Sequence, residues 1–189
     1  MRILQVIPSL SPHLGGPTRA VLGLSHHLQK IGVDVQILTT NDDTAQRLDV
    51  PLNRTVDYQE IPTTFLPRTF RAKEFIYSNA LSNWHDQNLG KFDLVHTHYI
   101  FSYLPSWTAR VARAQNVPYI MRPLGQLTPW ALSQGNRKKR LYALLLERHN
   151  LSQAAAIHCT SPEEAINVRD FGIKTPTMTV PLGVEIPLP

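Results

Sequence analysis

The first forty residues read as a strand, a glycine loop, a helix and a second strand. Ile3 to Ile7 predict a buried strand, and Pro17 suits the first turn of a helix. Gly32 stands where a helix-ending glycine belongs, and "VDVQILTT" predicts the next strand. A unit of about 30 residues in this order is the crossover between two parallel strands. This unit predicts an α/β fold with a mainly parallel sheet.

The same alternation continues along the chain. Further strands are predicted at "TVDYQEIP", "FDLVHTH", "VPYIMR", "AAAIHCT" and "TMTV". Further helices are predicted from about Ala72 to Leu89 and over "PSWTARVARAQN", "NRKKRLYALLLERHNL" and "SPEEAINVRDFG". Loops are predicted at 41–55, 62–71 and "PLGQLTPWALSQG". The predicted fold class is α/β, a Rossmann-like three-layer sandwich with a mainly parallel sheet.

Three helices carry more detailed expectations. The first should bury Ala20, Leu24, Leu28 and Ile31, and the long basic helix should bury Leu141, Leu144, Leu145 and Leu151. The last helix has its own start and stop signals. Ser161, Pro162 and Glu164 form a capping-box pattern, and Gly172 ends the helix.

Composition narrows the class of protein. The 189 residues carry a net charge of +5, which favours an anionic partner. The single cysteine rules out an internal disulfide framework and fits a reducing compartment. The opening "MRILQVIPSL" is too short and too interrupted by proline for a secretory signal, so a cytoplasmic location is expected.

Polar residues and glycines follow several predicted strands. They are Gly15-Gly16, His96 and His98, Arg122 to Gly125, and Thr160-Ser161. Ligands of parallel α/β sheets bind at the carboxyl ends of the strands. We therefore expect these segments to line one edge of the domain.

Three of these segments each have more than one interpretation. Gly15-Gly16 can form a backbone cradle for a diphosphate at a helix start, or a plain turn, since the spacing is not G-x-G-x-x-G. His96 and His98 point to one face and can form a metal pair, although a third ligand at suitable spacing is not evident. Alternatively, one histidine is buried and hydrogen-bonded and the other reaches the site, and His98 is expected to be the exposed member. Arg122 can hold a phosphate or carboxylate, or form a structural salt bridge.

Two basic segments make an anionic membrane surface a candidate partner. The first is "NRKKR" at 136–140. The second is basic and aromatic and comprises Phe65, Arg68, Phe70, Arg71, Lys73, Phe75 and Ile76. Nucleic acid is not expected, because the sequence contains no recognition-helix or ribonucleoprotein motif.

The order of the motifs resembles the N-terminal half of family 4 glycosyltransferases. The motifs are the opening segment through "VDVQILTT", "FDLVHTHYIF", "VPYIMRPLGQLTPWAL", "AIHCTSPEEAINVRDFG" and "TVPLGVE". The resemblance implies one half of a GT-B fold and retaining transfer of a sugar from a nucleotide-diphosphate sugar. It implies no metal and no other cofactor, and an acceptor that is a glycan or a lipid-linked molecule.

The resemblance also assigns residues. Gly15, Gly16 and Arg19 are expected to bind the donor, His98 and Arg122 to be catalytic, and Tyr99, Gln126 and Trp130 to bind the acceptor. Many relatives have histidine where this sequence has Leu124, and Arg122, two positions earlier, is expected to compensate.

The resemblance further predicts the domain organisation. Residues 1–180 form the acceptor-side domain. Residues 181–189, which start with "PLGVE", begin the hinge to a donor-binding domain. We expect these residues alone to transfer no sugar. The alternative is a stand-alone Rossmann-like module that binds an anion or nucleotide without catalysis.

Overall fold

A computed structural model of the chain describes residues 1–72, 75–133 and 137–183, with the backbone alone for 137–143. The helices are α1 (Gly16–Lys30), α2 (Leu81–Asn88), α3 (Tyr103–Ala114), α4 (Pro129–Ser133), α5 (Arg137–Gln153) and α6 (Pro162–Asp170). The strands are β1 (Arg2–Ser9), β2 (Asp34–Thr40), β3 (Asp42–Asp43), β4 (Gln46–Arg47), β5 (Thr55–Tyr58), β6 (Ile61–Leu66), β7 (Phe70–Ala72), β8 (Phe75–Tyr77), β9 (Leu94–His98), β10 (Tyr119–Arg122), β11 (Ala156–Cys159) and β12 (Thr177–Thr179).

The main sheet has the strand order β12-β11-β10-β9-β1-β2-β6-β5. Neighbouring strands from β12 to β6 are parallel, and β5 closes one end antiparallel to β6. Register places Gln5 beside His96 and Arg122 beside His98. The predicted α/β fold with a mainly parallel sheet is confirmed.

The two faces of the sheet build two cores. On one face, α1 buries Val21 and Leu22 against Ile7, Ile37 and Phe65. On the other face, residues of α2, α3, α5 and α6 pack on alternate strand positions such as Leu4, Val6 and Met121. Because side chains alternate along a strand, the neighbours Gln5 and Arg122 face the α1 side.

The prediction for residues 62–89 is wrong over its first half. Residues 61–66 form the interior strand β6, and Phe70–Ala72 pairs with Phe75–Tyr77 in a hairpin. The helix starts only at Leu81. Aromatic and β-branched side chains in 75–77 suit a strand, and Tyr77 packs on Tyr103 at 4.7 Å between ring centroids. Tertiary packing therefore overrides the helical pattern.

The predicted helix faces also differ from the observed ones. α1 buries Thr18, Val21, Leu22 and Ser25, whereas Ile31 is 75% exposed. Thr18 tolerates burial because its hydroxyl donates to the carbonyl of Ser11. On α5 the predicted burial of Leu151 is confirmed, but Glu147 and Asn150 are buried beside it and Leu145 is exposed. Leu141 lies outside the described side chains.

Local stop and start signals are confirmed. Gly32 and Gly172 both have positive φ, at +82° and +84°, just beyond the ends of α1 and α6. Ser161 caps α6 by accepting the N–H of Glu164. The segment predicted as the loop "PLGQLTPWALSQG" contains the short helix α4. In the described part of the chain, no helix has both the length and the apolar character needed to cross a membrane.

Candidate functional site

Four segments meet at the carboxyl edge of the sheet. Strands β11, β10, β9 and β1 lie side by side and parallel, so their carboxyl ends share one edge. The segments that follow them contain Gly15-Gly16, Tyr99, Arg122 to Gly125, and Thr160-Ser161. The structure thus brings together the segments that the sequence predicts at one edge.

The glycine loop leaves the start of α1 open. Gly15 has φ +63° and ψ −115°, a conformation that side chains disfavour, and it caps α1 without a side-chain hydrogen bond. Gly16 has no such backbone requirement, and a Cβ added there would meet no atom within 4 Å. The first turn of α1 contains no acidic residue. An anionic ligand can therefore approach the N-terminal N–H groups of this helix.

Hydroxyl groups anchor this loop to the segment after β2. Ser9 Oγ donates to the carbonyl oxygen of Asp42 at 2.6 Å, and Ser11 Oγ donates to a carboxylate oxygen of Asp43. Thr18 Oγ1 donates to the carbonyl oxygen of Ser11 at 3.1 Å. The position of the glycine loop is thus fixed by β2 and its following turn.

Asp42 is a buried acid held between two arginines. Arg68 and Arg71 each approach one of its carboxylate oxygens at 2.8 Å. Both arginine side chains are largely shielded from solvent, and they share the single negative charge of Asp42, so the group keeps one net positive charge.

The predicted basic and aromatic segment therefore does not form one basic surface. Phe65 and Ile76 belong to the buried core, and Phe70 is 56% exposed. Lys73 lies outside the described residues, as do the side chains of 136–140. The prediction is wrong for this segment because two of its cations pair with Asp42.

Three histidines cluster on the α1 side of the sheet. The rings of His96 and His98 lie 4.4 Å apart between centroids, and those of His96 and His158 lie 5.3 Å apart. His98 Nε2 donates to Oε1 of Gln5 at 2.6 Å. His158 Nε2 donates to the carbonyl oxygen of Val180 at 2.9 Å. The cluster thus extends from β1 to the segment after β12.

These histidines are neutral. Burial lowers the pKa of His98 well below its usual value, and the nearby His96 and Arg122 lower it further. The prediction that His98 is exposed is wrong, because its ring is fully buried between β1 and β10. His96 and His98 do share one face, as predicted. Within the described residues, no three His, Cys, Asp or Glu side chains form a group able to hold a metal ion.

Arg122 is the largest fully buried side chain in the described part of the chain, with 1% exposure. Its Nε and Nη2 atoms have no hydrogen-bond partner. The carboxylate of Glu164 is near, but its oxygens accept the N–H of Gly125 at 2.7 Å and the N–H and hydroxyl of Thr160 at 2.6 and 2.8 Å. In a capping box the carboxylate of Glu164 would accept the backbone N–H of Ser161. It accepts the N–H of Thr160 instead, which departs from the prediction.

The charge of Arg122 survives its burial. Desolvation lowers the pKa of Arg122 to about 10, against the opposing effects of Glu164 and Tyr99. The guanidinium is still protonated at neutral pH. Gln5 Nε2 and His98 Nδ1, on the two neighbouring strands, also lack partners. A buried cation without a hydrogen-bonded anion is costly, so this arrangement suits an incoming anion.

The loop after β9 has a strained backbone. Tyr99 and Phe101 have φ values of +73° and +56°, which favour glycine. Ile100 N–H donates to Oε1 of Gln126 at 2.7 Å, and Phe101 N–H donates to Oε1 of Glu147 at 3.1 Å. Such strain concentrates at functional sites and persists only where the surroundings enforce it.

A narrow cleft opens beside this loop. Its volume of about 30 Å³ admits water and not a sugar ring. The cleft is lined by Pro8, Leu14, Asp42, Arg71, Ile76, Tyr99, Ser102 and Gln126.

The structure separates the predicted acceptor residues into two sets. Tyr99 and Gln126 line the cleft together. Trp130 lies on α4, is 74% exposed and does not line it. Leu124, at the position where the resemblance leads us to expect histidine, has φ +55° and is followed by Gly125 at +75°. Arg19, a predicted donor contact, is exposed on the first turn of α1.

Sequence reasoning missed several buried residues of this edge. They are Gln5, Asp42, Glu147, His158 and Glu164. Asp42 lies two residues beyond the end of β2, so the rule that placed His98 and Arg122 at the carboxyl edge also applies to it. Glu147 gave no comparable signal, because its partner Phe101 lies 46 positions away in the chain.

A mainly parallel sheet with helices packed on both faces defines an α/β, Rossmann-like domain. The chain belongs to the glycosyl transferase 4-like domain family, whose model matches residues 15–183. No match was found among curated protein sequences.

Solved structures share the fold. A sucrose-phosphate synthase from Thermosynechococcus elongatus is 20% identical with a TM-score of 0.69, over 97% of this chain and 48% of that one. HepE from Anabaena, solved in complex with UDP and glucose, is 13% identical with a TM-score of 0.65, over 98% of this chain and 45% of that one. The chain thus spans about half the length of these GT-B glycosyltransferases and has the fold of one half.

Proposed function

We propose that this chain is the acceptor-side domain of a retaining, metal-independent glycosyltransferase. It transfers a sugar from a nucleotide-diphosphate sugar to a glycan or lipid-linked acceptor. The observation that carries the proposal is the buried, charged guanidinium of Arg122 at the carboxyl edge, whose Nε and Nη2 atoms lack partners. Family membership and the UDP and glucose bound by HepE support a nucleotide-sugar donor.

The donor diphosphate approaches the chain at Gly15 and Gly16. The uncapped N–H groups of α1 and the positive end of its dipole favour negative charge there. Arg19, exposed on the first turn of the same helix, adds a cation. A side chain at position 16 would occupy the space that the diphosphate needs.

Arg122 and His98 serve the reacting end of the donor. Breaking the sugar–phosphate bond leaves negative charge on the nucleotide diphosphate, and a preorganised cation stabilises that charge. Arg122 needs no protonation event for this role, because it stays charged at neutral pH. Neutral His98 holds Gln5 and leaves its Nδ1 atom unpartnered beside Arg122.

The acceptor contacts the rim of the cleft beside Tyr99 and Gln126. Exposed Trp130 offers a stacking surface for a sugar ring on the neighbouring helix α4. Exposed aromatic side chains at Phe70 and Trp130 also support a peripheral location on the cytoplasmic face of a membrane. A polysaccharide or glycolipid under construction at that membrane fits such an acceptor.

A second domain completes the enzyme. The structural neighbours are about twice as long as this chain, and residues 1–180 correspond to one of their halves. Residues 181–189 begin the hinge, and His158 hydrogen-bonds the carbonyl group of Val180, the last residue before it. The second domain supplies most donor contacts, so residues 1–189 alone transfer no sugar.

The test is sugar transfer by the full-length gene product with UDP-, GDP- and ADP-sugars. Gly16→Val is compared with Gly23→Val, because an added Cβ meets nothing within 4 Å at either glycine of this helix. We expect turnover of one donor, lost in Gly16→Val and retained in Gly23→Val. Folded protein that binds a nucleotide diphosphate but turns over no donor would favour the stand-alone binding module.

A further inference from the structure

We propose that Glu147 is a positioning residue, which holds Tyr99 and Phe101 in the conformation that builds the acceptor side of the site. This inference rests on the proposed function, because Tyr99 lines the proposed acceptor cleft. Glu147 itself lines no part of that cleft, so it acts through the loop.

The loop needs to be held. Tyr99 and Phe101 are both left-handed, at φ +73° and +56°, although neither is glycine. A loop without outside support does not favour a conformation in which two non-glycine residues within three positions have positive φ. Interactions outside the loop must therefore select it.

Hydrogen bonds from three successive backbone N–H groups stabilise this conformation. Tyr99 N–H donates to the carbonyl oxygen of Arg122 at 3.0 Å, and Ile100 N–H donates to Gln126 at 2.7 Å. Phe101 N–H donates to Oε1 of Glu147 at 3.1 Å. The first two partners belong to β10 and its following loop, whereas Glu147 belongs to α5 on the other side. Glu147 thus fixes the end of the loop that Arg122 and Gln126 do not reach.

Glu147 is itself held rigidly. It is 1% exposed, and the hydroxyl of Ser106 donates to the same oxygen that accepts Phe101 N–H. Asn150 Nδ2 donates to the carbonyl oxygen of Ser106 at 2.9 Å, and Asn150 accepts from Arg113 and Tyr119. A fixed acceptor atom at this place determines where Phe101 N–H lies.

A carboxyl group is a poor choice for packing alone. Oε2 of Glu147 has no partner, and an apolar side chain of similar volume would pack between α3 and α5 without that cost. The hydrogen bond to the strained loop explains why an acid at this position is useful.

The test uses the full-length enzyme with Glu147→Gln, Glu147→Leu and Glu147→Asp. Gln keeps an acceptor oxygen for Phe101 N–H, Leu removes it, and Asp is too short to reach. We expect Leu and Asp to raise the acceptor KM about tenfold and Gln to leave it within about twofold of wild type. The donor KM stays unchanged in all three. Exposed Glu163→Gln and Glu163→Leu are the matched controls and leave both constants unchanged.

Rescue and hydrogen exchange separate positioning from general damage. Phe101→Gly added to Glu147→Leu should recover about threefold of the acceptor KM, because glycine adopts positive φ without support. Exchange of the Phe101 amide should be about tenfold faster in Glu147→Leu and Glu147→Asp than in Glu147→Gln. This exchange is measurable even in a protein that transfers no sugar. The absence of sugar transfer would count against the proposed function and not against the positioning role of Glu147. An unchanged acceptor KM and unchanged exchange in Glu147→Asp, or equal effects of Gln and Leu, would overturn the positioning role.

Discussion

Two buried polar regions lie on opposite faces of the sheet, and they differ in the hydrogen bonds that they offer to a buried ionisable side chain. In the acidic region between α3 and α5, Glu147 accepts hydrogen bonds from Phe101 and Ser106 through one oxygen. In the cationic region on the α1 face, Arg122 has two nitrogen atoms without a partner. Both side chains are 1% exposed. Because burial is equal, the two regions differ only in the chemistry of the buried group and its neighbours.

The difference teaches which buried charges need a ligand. Burial raises the pKa of Glu147 to about 7, so this group can take up a proton and become neutral. Burial lowers the pKa of Arg122 only to about 10, so it keeps its charge at neutral pH. Both regions contain a buried atom without a hydrogen-bond partner, but only the acidic region can become neutral, so the cationic region is the one in which an anionic ligand would lower the cost of burial.

The largest expected effect on stability is acid destabilisation by buried histidines. Burial lowers the pKa of His85 to about 4 and lowers those of His96 and His98 well below 6.5. Their folded pKa lies below the unfolded value, so stability is present above pH 6.5 and is lost as pH falls. For three such groups the loss is about 4 kcal/mol between pH 7 and pH 5.5, and protonation of Glu147 in the same range offsets about 1.5 kcal/mol of it.

Urea denaturation at these two pH values measures that loss. His85→Gln, which lies outside the cationic region, should remove about a third of the histidine contribution. Wild type and His85→Gln that lose equal stability between the two pH values would mean that His85 is not buried as a neutral group.

The next effect sharpens the role of Glu147. Its folded pKa of about 7 lies above the usual 4.5, so its contribution is present below pH 4.5 and is lost as pH rises to 7. At pH 8 Glu147→Gln should be more stable than wild type by about 3 kcal/mol, and at pH 4.5 the two should be equal. Denaturant midpoints of both proteins across this range give the difference. A constant difference at all pH values would show that the carboxyl does not titrate in this range.

Arg122→Gln tests whether the cationic region is strained without a ligand. Removing an unpartnered buried charge should stabilise the free protein by about 2 kcal/mol. Arg54→Gln is the control, because Arg54 is exposed and lies beside β5 at the far end of the sheet. Thermal or urea unfolding of the two variants provides the measurement. A less stable Arg122→Gln protein would make this arginine a structural residue.

The smallest effect separates the two glycines of the loop. Gly15→Ala should cost about 1 kcal/mol of stability, because φ +63° disfavours a side chain. Gly16→Ala should leave stability within about 0.5 kcal/mol of wild type, since its Cβ meets no neighbour. Chemical denaturation distinguishes them, and equal costs would contradict the different roles assigned to the two glycines.

Local signals predicted the parts of this fold that depend on neighbouring residues. The strand–helix alternation indicated the parallel sheet, and Gly32, Ser161 and Gly172 marked helix ends that the structure confirms. The placement of Gly15-Gly16, His98 and Arg122 at one edge follows from the rule that parallel strands share a carboxyl end.

Long-range partners were not predictable in the same way. The hairpin at 70–77 depends on packing against Tyr103, and the buried face of α5 depends on a hydrogen bond to Phe101. Whether His98 is exposed depends on side chains of strands that lie far away in the sequence. Sequence periodicity indicates which face of a helix or strand is apolar. It does not indicate a buried polar residue whose hydrogen-bond partner lies on another element.

One measurement tests the central claim most directly: kcat/KM for the nucleotide-sugar donor, in the full-length enzyme, for wild type, Arg122→Gln and Arg54→Gln. If the buried guanidinium receives the charge of the leaving diphosphate, Arg122→Gln should lose about 100- to 1,000-fold while Arg54→Gln stays at the wild-type value. Wild-type kcat/KM in a folded Arg122→Gln enzyme would contradict the account.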